Sequence, residues 1–465
     1  MSPHPKPRDR RSGRAYAAAP TAATAVALAA ATALAAALTA VPARAVPAPV
    51  PAAPIPAAPA SAPGGVRPAA EPIAGRYLVV LKDTAAPAAA AATATAEQRH
   101  SAVAAAADRL AGAHGGTVRT VFDTALHGYL AELTPAQAER VAADPAVDHV
   151  EQDGVQHQSL SPDTAPGSAA VTVPGSARTA APAAGSAGTQ SAPPSWGLDR
   201  IDQRDLPLDK AYHYPGTASN VTVYLVDSGL RTTHSQFQGR ASIGVDLVKD
   251  GRNGGDCLGH GTHVAGTVGG KDYGVAKAVK LVAVRVTPCN NSIPTSAIVS
   301  AADWITKNAV KPAVVNMSIN GGVSSTEDKA IKNSIAAGIT WVVSSGNGNA
   351  DACRNSPGDI AEAIVVNNAT SDDARRSDSD YGSCTDLFAP GTGITSAWNS
   401  GDQDTHVLTG TSMAAPHVTG AAALYLSAHP QATPADVQSA LTGAATQNRI
   451  SGAGQGTPNR LLYVG

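Results

Sequence analysis

The sequence predicts an α/β fold, in which helices cover both faces of a mainly parallel sheet, preceded by a small α+β domain. The main evidence is that apolar runs alternate with helical stretches after Trp196; these runs are Val221–Val226, Val279–Val286, Ala313–Ile319, Ile339–Ser344 and Ala363–Val366. Strands that are apolar throughout are typical of sheets buried on both faces, and such sheets are usually parallel. Ser325 and Asp328 are expected to frame one helix start and Gly338 its end, and Thr433-Pro434 opens the last helix.

Residues 73–158 carry the pattern of the small domain. Its elements are expected at Arg76–Lys82 (strand), Ala96–Ala113 (helix), Thr117–Leu133 (two strands around a turn), a helix opened by Thr134-Pro135, and Val147–Gln152 (strand). This β-α-β-β-α-β order is typical of a split βαβ, ferredoxin-like sandwich. A generic small α/β domain is the alternative.

The remaining N-terminal segments differ in composition from both domains. Residues 1–45 have a basic start, an apolar run over Thr24–Ala40 and the small-x-small sequence Ala43-Arg44-Ala45, which predicts a secretory signal peptide removed after Ala45. A membrane anchor is disfavoured because alanine contributes little transfer energy. Residues 46–72 are rich in Pro and Ala and are expected to be disordered, and residues 159–194 are expected to form a flexible linker to a main domain at 195–465.

The net charge limits the possible classes of partner, and the cysteine content predicts disulfides. The net charge is −2 with 15% charged residues, and residues after the signal show no basic block, which argues against a nucleic-acid or membrane-surface partner. Four cysteines in a secreted chain indicate two disulfides. The sequence alone leaves three pairings open, and the cysteines do not form a Cys-x-x-Cys metal pattern.

Three separated motifs each supply one member of a nucleophilic triad. They are Val-Asp-Ser-Gly at 226–229, Gly-His-Gly-Thr-His at 259–263 and Gly-Thr-Ser-Met-Ala at 410–414. A serine hydroxyl is a weak nucleophile, so it needs an imidazole to take its proton and a carboxylate to orient that imidazole. Asp227, His260 and Ser412 are therefore candidate catalytic residues. Each one alone is more often a turn, packing or N-cap residue, but three in this order are unlikely by chance.

The motifs and their order Asp, His, Ser resemble the subtilisin-like serine proteases (subtilases), in the proteinase K and aqualysin-like branch. The similarity covers essentially all of residues 196–465 and implies a subtilisin-like three-layer fold. It also implies that residues 73–158 are a propeptide that acts as intramolecular inhibitor and folding aid. The implied disulfides are Cys257 with Cys289 and Cys353 with Cys384.

The same resemblance suggests which residues meet a polypeptide substrate. Asn347, in Ser-Ser-Gly-Asn, aligns with the asparagine that stabilises the oxyanion. The expected substrate-binding residues are Ser318, Ile319, Asn320, Ser344, Ser345 and Gly346. These walls carry no charge, which favours broad specificity for apolar or small residues. The family usually has Leu-Gly-Gly where this chain has Ile319-Asn320-Gly321, so Asn320 places the width of the primary pocket in question.

Structural calcium is also implied by the resemblance, without a catalytic cofactor. One expected set is Asp386 with the carbonyls of Ala361 and Ala363, and a second is Asp199, Asp202 and Gln203. Turn and capping roles for these residues are the alternative. Asp209 and Lys210 replace smaller polar residues near the second set, which weakens it.

The resulting interpretation is a secreted, monomeric serine endopeptidase that processes itself. The first cut is expected around Val155–Leu160, followed by trimming toward Pro194. A catalytically silent binding protein on the same fold is one alternative. A serine esterase is the other, and it is disfavoured because Ser412 lies in Gly-Thr-Ser-Met-Ala and not in Gly-x-Ser-x-Gly.

Overall fold

The computed structural model describes residues 65–90, 93–159, 161 and 185–465. The predicted signal peptide lies outside the described residues. So does the larger part of both segments that were expected to be disordered or flexible.

The N-terminal domain has the predicted β-α-β-β-α-β order, with a short strand added in front. Its strands are β1 (Val66–Arg67), β2 (Pro72–Leu81), β3 (Thr117–Phe122), β4 (Gly128–Glu132) and β5 (Val147–Gln158), and its helices are α1 (Pro87–Ala90), α2 (Ala96–His114) and α3 (Pro135–Ala142). The strands β3, β4, β2 and β5 pair antiparallel in that order, and β1 pairs parallel with β5. Helices α2 and α3 cover one face and enclose a core that includes Val79, Val103 and Val141.

Local sequence determines where these helices begin. Thr134 caps α3 as predicted, because its hydroxyl accepts from Gln137 N and the Gln137 side chain accepts from Thr134 N. The same capping box is formed by Thr95 and Gln98 at the start of α2.

The strands of the C-terminal domain begin with β6 (Gly188–Ser191), β7 (Ala211–Tyr214), β8 (Thr222–Asp227), β9 (Ala241–Asp246), β10 (Lys280–Arg285), β11 (Ile293–Pro294), β12 (Ala313–Met317) and β13 (Ile319–Gly322). They continue with β14 (Thr340–Ser344), β15 (Asn355–Ser356), β16 (Ile364–Ala369), β17 (Leu387–Pro390), β18 (Ile394–Ala397), β19 (Thr405–Leu408), β20 (Thr446–Gln447) and β21 (Arg460–Leu461). The helices are α4 (Trp196–Ile201), α5 (His260–Gly269), α6 (Thr295–Asn308), α7 (Ser325–Ala336), α8 (Thr411–Ala428) and α9 (Pro434–Ala444).

The central sheet has the order β20-β21-β17-β16-β14-β12-β8-β10-β9 and is parallel except for its edge strand β20. Alternate residues of its strands belong to different cores. On β8, Val223 and Leu225 pack in the core that includes α5, α8 and α9, whereas Tyr224 and Val226 pack in the core that includes α6 and α7. Inner strands such as β8 are therefore mainly apolar because both of their faces are covered, as the sequence predicts. The edge strand β9 is partly exposed.

Strand β5 joins the two domains. Its first half pairs with β2, and its second half pairs antiparallel with β11 and β13 of the C-terminal domain. Because the partners of this second half come from the other domain, β5 extends to Gln158 and not to the predicted end at Gln152. The chain of the N-terminal domain thus enters the edge of the main domain as an added strand.

Three further boundaries differ from the sequence prediction. The segment expected to be disordered contains β1, which pairs with Val150 and Glu151. The expected linker includes β6 near its end, because Gly188–Ser191 pairs with β7. Helix α7 is capped by Ser324, whose hydroxyl accepts from Glu327 N at 3.2 Å, one residue before the expected start.

Two disulfides join loops of the main domain. The pairs are Cys257–Cys289 and Cys353–Cys384, which are the pairs that the resemblance implies. Within the described ranges, no helix combines the length and the apolar character needed to cross a membrane.

Candidate active site

Asp227 and His260 form a hydrogen-bonded pair at the carboxyl end of β8. His260 Nδ1 lies 2.8 Å from Asp227 Oδ1 and 2.9 Å from Oδ2, and both side chains are buried. Because Nδ1 donates to the carboxylate, the neutral ring carries its lone pair on Nε2. His260 Nε2 is buried and has no hydrogen-bond partner among the described residues. The ring is therefore held by one nitrogen and available as a proton acceptor at the other.

The segment before α5 determines the position of His260. Gly259 has φ +89°, and a Cβ at this position would lie 2.4 Å from the Trp398 ring, so a larger residue does not fit. The carboxylate of Asp256 accepts from Gly259 N at 2.8 Å and from Thr262 N at 2.9 Å. A carboxylate is favourable at a helix start because it meets the unpaired N–H groups and the positive end of the helix dipole.

Ser412 is the second residue of α8. Its hydroxyl donates to Ser318 O at 3.3 Å, and its backbone N–H donates to Ser159 O, also at 3.3 Å. The Ser412 hydroxyl is therefore not hydrogen-bonded to His260 in this conformation. The N–H belongs to the first turn of a helix, where it has no partner within the helix.

Asn347 lies in the loop after β14 and contacts the start of α8. Its Oδ1 accepts from Thr411 N at 3.0 Å, which leaves Nδ2 as the only free end of the amide. Asn347 Nδ2 is buried and lacks a hydrogen-bond partner in the described part of the chain. Buried unpaired donors are rare in folded proteins, so Asn347 Nδ2 is available to a bound oxygen atom beside the start of α8.

The end of the N-terminal domain lies in the groove beside these residues. Gln156, His157 and Gln158 are paired with Gly321, Asn320 and Ile319, respectively. Beyond the strand, Ser159 N donates to Ser318 O at 3.2 Å, and the Gln158 side chain donates to Asp227 Oδ1 at 2.8 Å. The segment from Gln156 to Ser159 is therefore held in this groove as an extended strand by main-chain hydrogen bonds.

The expected substrate-binding residues surround this peptide in part. Ser318, Asn320 and Ser344 contact Ser159, and Ile319 pairs with Gln158. Ser345 and Gly346 continue the wall after Ser344, but they make no hydrogen bond to the described part of the peptide.

Three oxygen atoms converge in the first expected calcium set. Gln438 Nε2, on α9, donates to the carbonyls of Ala361 and Ala363 at 3.1 Å each and to Asp386 Oδ1 at 3.2 Å. Burial raises the pKa of Asp386 to about 6. Carbonyl and carboxylate oxygens are the ligands that calcium prefers, so this donor set fits the ion. The Gln438 amide faces the same point and presents its own oxygen there when it is turned.

The second expected set contains buried carboxylate oxygens without partners. Asp199 Oδ1 and Asp202 Oδ1 have no hydrogen-bond partner among the described residues, whereas Asp199 Oδ2 accepts from Lys210 N at 2.9 Å. Burial raises the pKa of both groups, to about 6 for Asp202. These two oxygens fit a cation. Gln203 Oε1 instead accepts from Asp209 N at 3.1 Å and is turned into its own loop.

The first set depends on carbonyl oxygens in addition to one carboxylate, and the second set offers two carboxylates. The described residues contain no group of three or more His, Cys, Asp or Glu side chains that could hold a metal ion.

Three side chains in these sites were not identified from the sequence. Asp256 orients the start of α5, Gln158 reaches Asp227, and Gln438 faces the first oxygen set. Asp256 has a recognisable signal, because an acidic residue just before a helix start is a common cap. Gln158 and Gln438 have none, because their contacts come from distant parts of the chain.

Comparisons with known proteins show the family of the chain. Residues 218–461 match the subtilase family and residues 76–157 match the peptidase inhibitor I9 family. The extracellular serine proteinase of Thermus sp. (strain Rt41A) is 44% identical over 401 residues, which cover 85% of this chain and 91% of that protein. The alkaline serine exoprotease A of Vibrio alginolyticus is 40% identical over 391 residues, 84% of this chain and 67% of that protein.

A solved structure is similar as well. The crystal structure of a cold adapted subtilisin-like serine proteinase matches with a TM-score of 0.56 and 46% identity, over 58% of this chain and 97% of that chain. Family, fold and sequence relatives therefore agree. The chain belongs to the subtilase family of serine proteases and carries a peptidase inhibitor I9 domain before its peptidase domain.

Proposed function

We propose that this subtilase is a secreted, self-processing endopeptidase whose catalytic triad is Asp227, His260 and Ser412. One observation above all supports the proposal. The carbonyl of Ser159, in the chain's own N-terminal segment, accepts a hydrogen bond from the N–H of Ser412. A peptide carbonyl bound at a serine N–H beside an Asp–His pair is the arrangement that acyl transfer requires.

The triad acts through two proton transfers in each half of the reaction. Ser412 Oγ turns from Ser318 O toward His260 Nε2, gives its proton to that nitrogen and attacks the carbonyl carbon. His260 then passes the proton to the leaving amine, and a water molecule hydrolyses the acyl-enzyme by the same route. Asp227 holds the imidazole by Nδ1 and stabilises the positive charge that it carries between the two steps. The buried 2.8 Å contact between Asp227 and His260 supports this role.

Two donors stabilise the tetrahedral oxygen. The N–H of Ser412 already meets a peptide carbonyl, and Asn347 Nδ2 is the second donor. The hydrogen bond from an unpaired donor becomes stronger as negative charge develops on the oxygen. It therefore stabilises the transition state more than the bound substrate.

Polypeptides are the proposed substrates. They bind as a strand beside β13, with the residue before the cut between Ser318–Asn320 and Ser344–Gly346. These walls carry no charged side chain, which supports cleavage after apolar or small residues.

The N-terminal domain serves as intramolecular inhibitor and folding aid. Glu151 accepts from Thr326 N at 3.1 Å and Asp153 accepts from Ser296 N at 2.9 Å, so each carboxylate lies at the first turn of a helix, α7 or α6. Such contacts stabilise helix starts by about 0.5–2 kcal/mol each. The same β5 strand that makes them continues into the groove, where it excludes other peptides.

Secretion and calcium complete the proposal. The basic start, apolar run and Ala-x-Ala sequence of residues 1–45 support export, and a relative is named as extracellular. The oxygen sets at Asp386 and at Asp199 and Asp202 support structural calcium, with no catalytic cofactor. The mature enzyme acts as a monomer.

Ser412→Ala tests the proposal directly. The variant lacks the nucleophile, so we expect the secreted protein to accumulate as a precursor with the N-terminal domain still attached, as seen by intact mass. Ser427→Ala, near the other end of α8, is the matched control and should be processed normally.

A covalent phosphonofluoridate probe provides an independent readout. The wild-type enzyme should be labelled stoichiometrically at Ser412. If Ser412→Ala reached the mature mass in a host without other proteases, or if labelling occurred at another residue, the triad assignment would be wrong.

A further inference from the structure

The side chain of Asn320 bridges the two walls of the primary pocket. Asn320 Nδ2 donates to Ser344 O at 2.8 Å, and Asn320 Oδ1 accepts from Ser344 Oγ at 2.7 Å. In the family segment that this part of the chain resembles, a glycine at this position leaves the gap open. Here two hydrogen bonds hold an amide across it.

The orientation of this amide follows from its neighbours. The carboxylate of Asp380 only accepts, so Asn355 presents Nδ2 to it at 3.1 Å. Asn355 Oδ1 consequently faces Asn320 Nδ2, at 3.4 Å. Asn320 is thereby turned so that its oxygen, an acceptor, points into the pocket.

The pocket contains the side chain of Ser159. The Ser159 hydroxyl donates to Asn320 Oδ1 and lies 3.0 Å from Ser344 Oγ. The Ser159 main chain is bound on both sides, through Ser318 O and the N–H of Ser412. Only 6% of Ser159 is exposed, so the pocket is filled by a hydroxymethyl group and closed by the amide.

We propose that Asn320 makes the primary pocket selective for small residues, serine above all, and that the first self-cleavage breaks the peptide bond after Ser159. This inference rests on the proposed function and narrows its specificity. A larger side chain has to displace the Asn320 amide and leave its buried partners unpaired. In a closed pocket, even one methylene more or less changes kcat/KM by roughly 10- to 200-fold, so a side chain much larger than serine is strongly disfavoured.

The cleavage step balances without an added reagent other than water. Ser412 Oγ bonds to the carbonyl carbon of Ser159 as its proton passes to His260 Nε2. The carbon–nitrogen bond to Leu160 breaks, and the proton moves from His260 to that nitrogen, which becomes a new amino terminus. Water then hydrolyses the ester, which frees Ser412 and leaves Ser159 with a carboxylate.

Peptide kinetics on the mature enzyme test the pocket. Four peptides that differ only in the residue before the cut, Ser, Ala, Leu or Phe, are compared by kcat/KM. We expect Ser to be the best and Phe to be at least about tenfold worse. Asn320→Gly should raise kcat/KM for Phe about tenfold or more and lower it for Ser. Asn220→Gly, on the surface, is the matched control and should keep the wild-type profile.

Self-processing tests the same pocket in the full chain. Ser159→Phe should leave the precursor largely uncut, whereas Ser159→Ala should still be processed. Adding Asn320→Gly to Ser159→Phe should restore the cut, because the pocket is opened for the larger ring. In the wild type, the N-terminal fragment released first should end at Ser159 by mass.

The outcomes separate this inference from the proposed function. Equal rates for Phe and Ser in a wild-type enzyme that the phosphonofluoridate probe labels at Ser412 would overturn the pocket inference alone. An unchanged Asn320→Gly profile, or a first fragment ending at another residue, would do the same. An unlabelled Ser412 would overturn both.

Discussion

At the scale of single residues, the oxygen and the nitrogen of the Asn347 side chain have different roles. Its oxygen holds the N–H of Thr411 at the start of α8, and its buried nitrogen has no partner among the described residues. Leaving a buried donor unpaired costs about 1–3 kcal/mol of stability. This unfavourable unpaired donor lies at a position where a tetrahedral oxygen is expected to form.

Replacing Asn347 should therefore slow turnover and leave binding nearly unchanged. Loss of one oxyanion donor lowers kcat by about 10²–10³ in a subtilisin, the known case for this family, and we expect the same order for Asn347→Ala. Steady-state kinetics on one peptide check this. Asn347→Asp is the matched variant, since it keeps an oxygen for Thr411 but lacks the donor and adds a negative charge beside the oxyanion, so it should be at least as slow. A higher KM with unchanged kcat would contradict the assignment.

Residues whose role depends on local sequence could be predicted, and those whose role depends on distant contacts could not. The motif order predicted that Asp227 and His260 meet, and Thr134 and Thr433 were recognised as helix caps. Asn320 was identified as unusual, but its bond to Ser344, 24 positions away, was not predictable. Gln158 was missed because its partner Asp227 is 69 positions away.

Helices and strands can likewise be predicted where they depend on local sequence and not where they depend on distant contacts. Five strands of the central sheet, β8, β10, β12, β14 and β16, were predicted within a few residues because each is mainly apolar. The strands β9, β17, β20 and β21 were not predicted. The predicted end of β5 at Gln152 was wrong because Val155–Gln158 is polar and becomes a strand only between β11 and β13. Strand β6 was included in the linker for a similar reason, since its pairing with β7 bridges a polar segment.

At the scale of helices and strands, calcium is expected to stabilise the contacts between neighbouring elements. The first oxygen set joins α9 to the segments before β16 and β17, and the second lies at the end of α4. An ion that binds only the folded state stabilises it by about 2.7 kcal/mol at a hundred times its Kd. Calcium would also neutralise the unpaired carboxylate oxygens of Asp199 and Asp202.

Chelation should therefore lower the thermal midpoint of the probe-inhibited enzyme, which cannot digest itself. Scanning calorimetry in excess calcium and in chelator measures the difference, with magnesium at equal concentration as the control for ionic strength. Asp386→Asn should remove part of the calcium effect and keep the side-chain size. Equal midpoints in calcium and chelator would show that these oxygens do not bind the ion.

Over the whole molecule, the contact between the two domains buries acidic groups. Glu327, on α7, is fully buried beneath β5, and Gln156 donates to its Oε2 at 3.0 Å. Burial raises the pKa of Glu327 well above its usual value, helped by the nearby charges of Asp328 and Glu151. On the side of the N-terminal domain, burial lowers the pKa of His149. The two ring nitrogens of His149 contact Thr326 of α7 and the adjacent Asp148.

Release of the cleaved N-terminal domain should consequently depend on pH in two directions. Between the usual and the raised pKa of Glu327, the bound state holds a proton that the separated state loses, so rising pH favours release. Between the lowered pKa of the bound His149 and its usual value of 6.5, the separated His149 gains a proton that the bound one lacks, so falling pH also favours release in that range.

Glu327→Gln should reduce the high-pH limb of this dependence and leave the low-pH limb in place, because glutamine does not titrate and His149 is unchanged. Part of the high-pH limb should remain, because burial also raises the pKa of the neighbouring Asp328, to about 8. The measurement is the rate at which activity appears after self-cleavage, normalised at each pH to the activity of the fully released enzyme. That normalisation removes the titration of the active site itself. Glu97→Gln, on the exposed side of α2, is the matched control and should follow the wild type. If release slowed with rising pH, or if Glu327→Gln kept the full high-pH limb, proton loss from Glu327 could not be what weakens the contact between the domains.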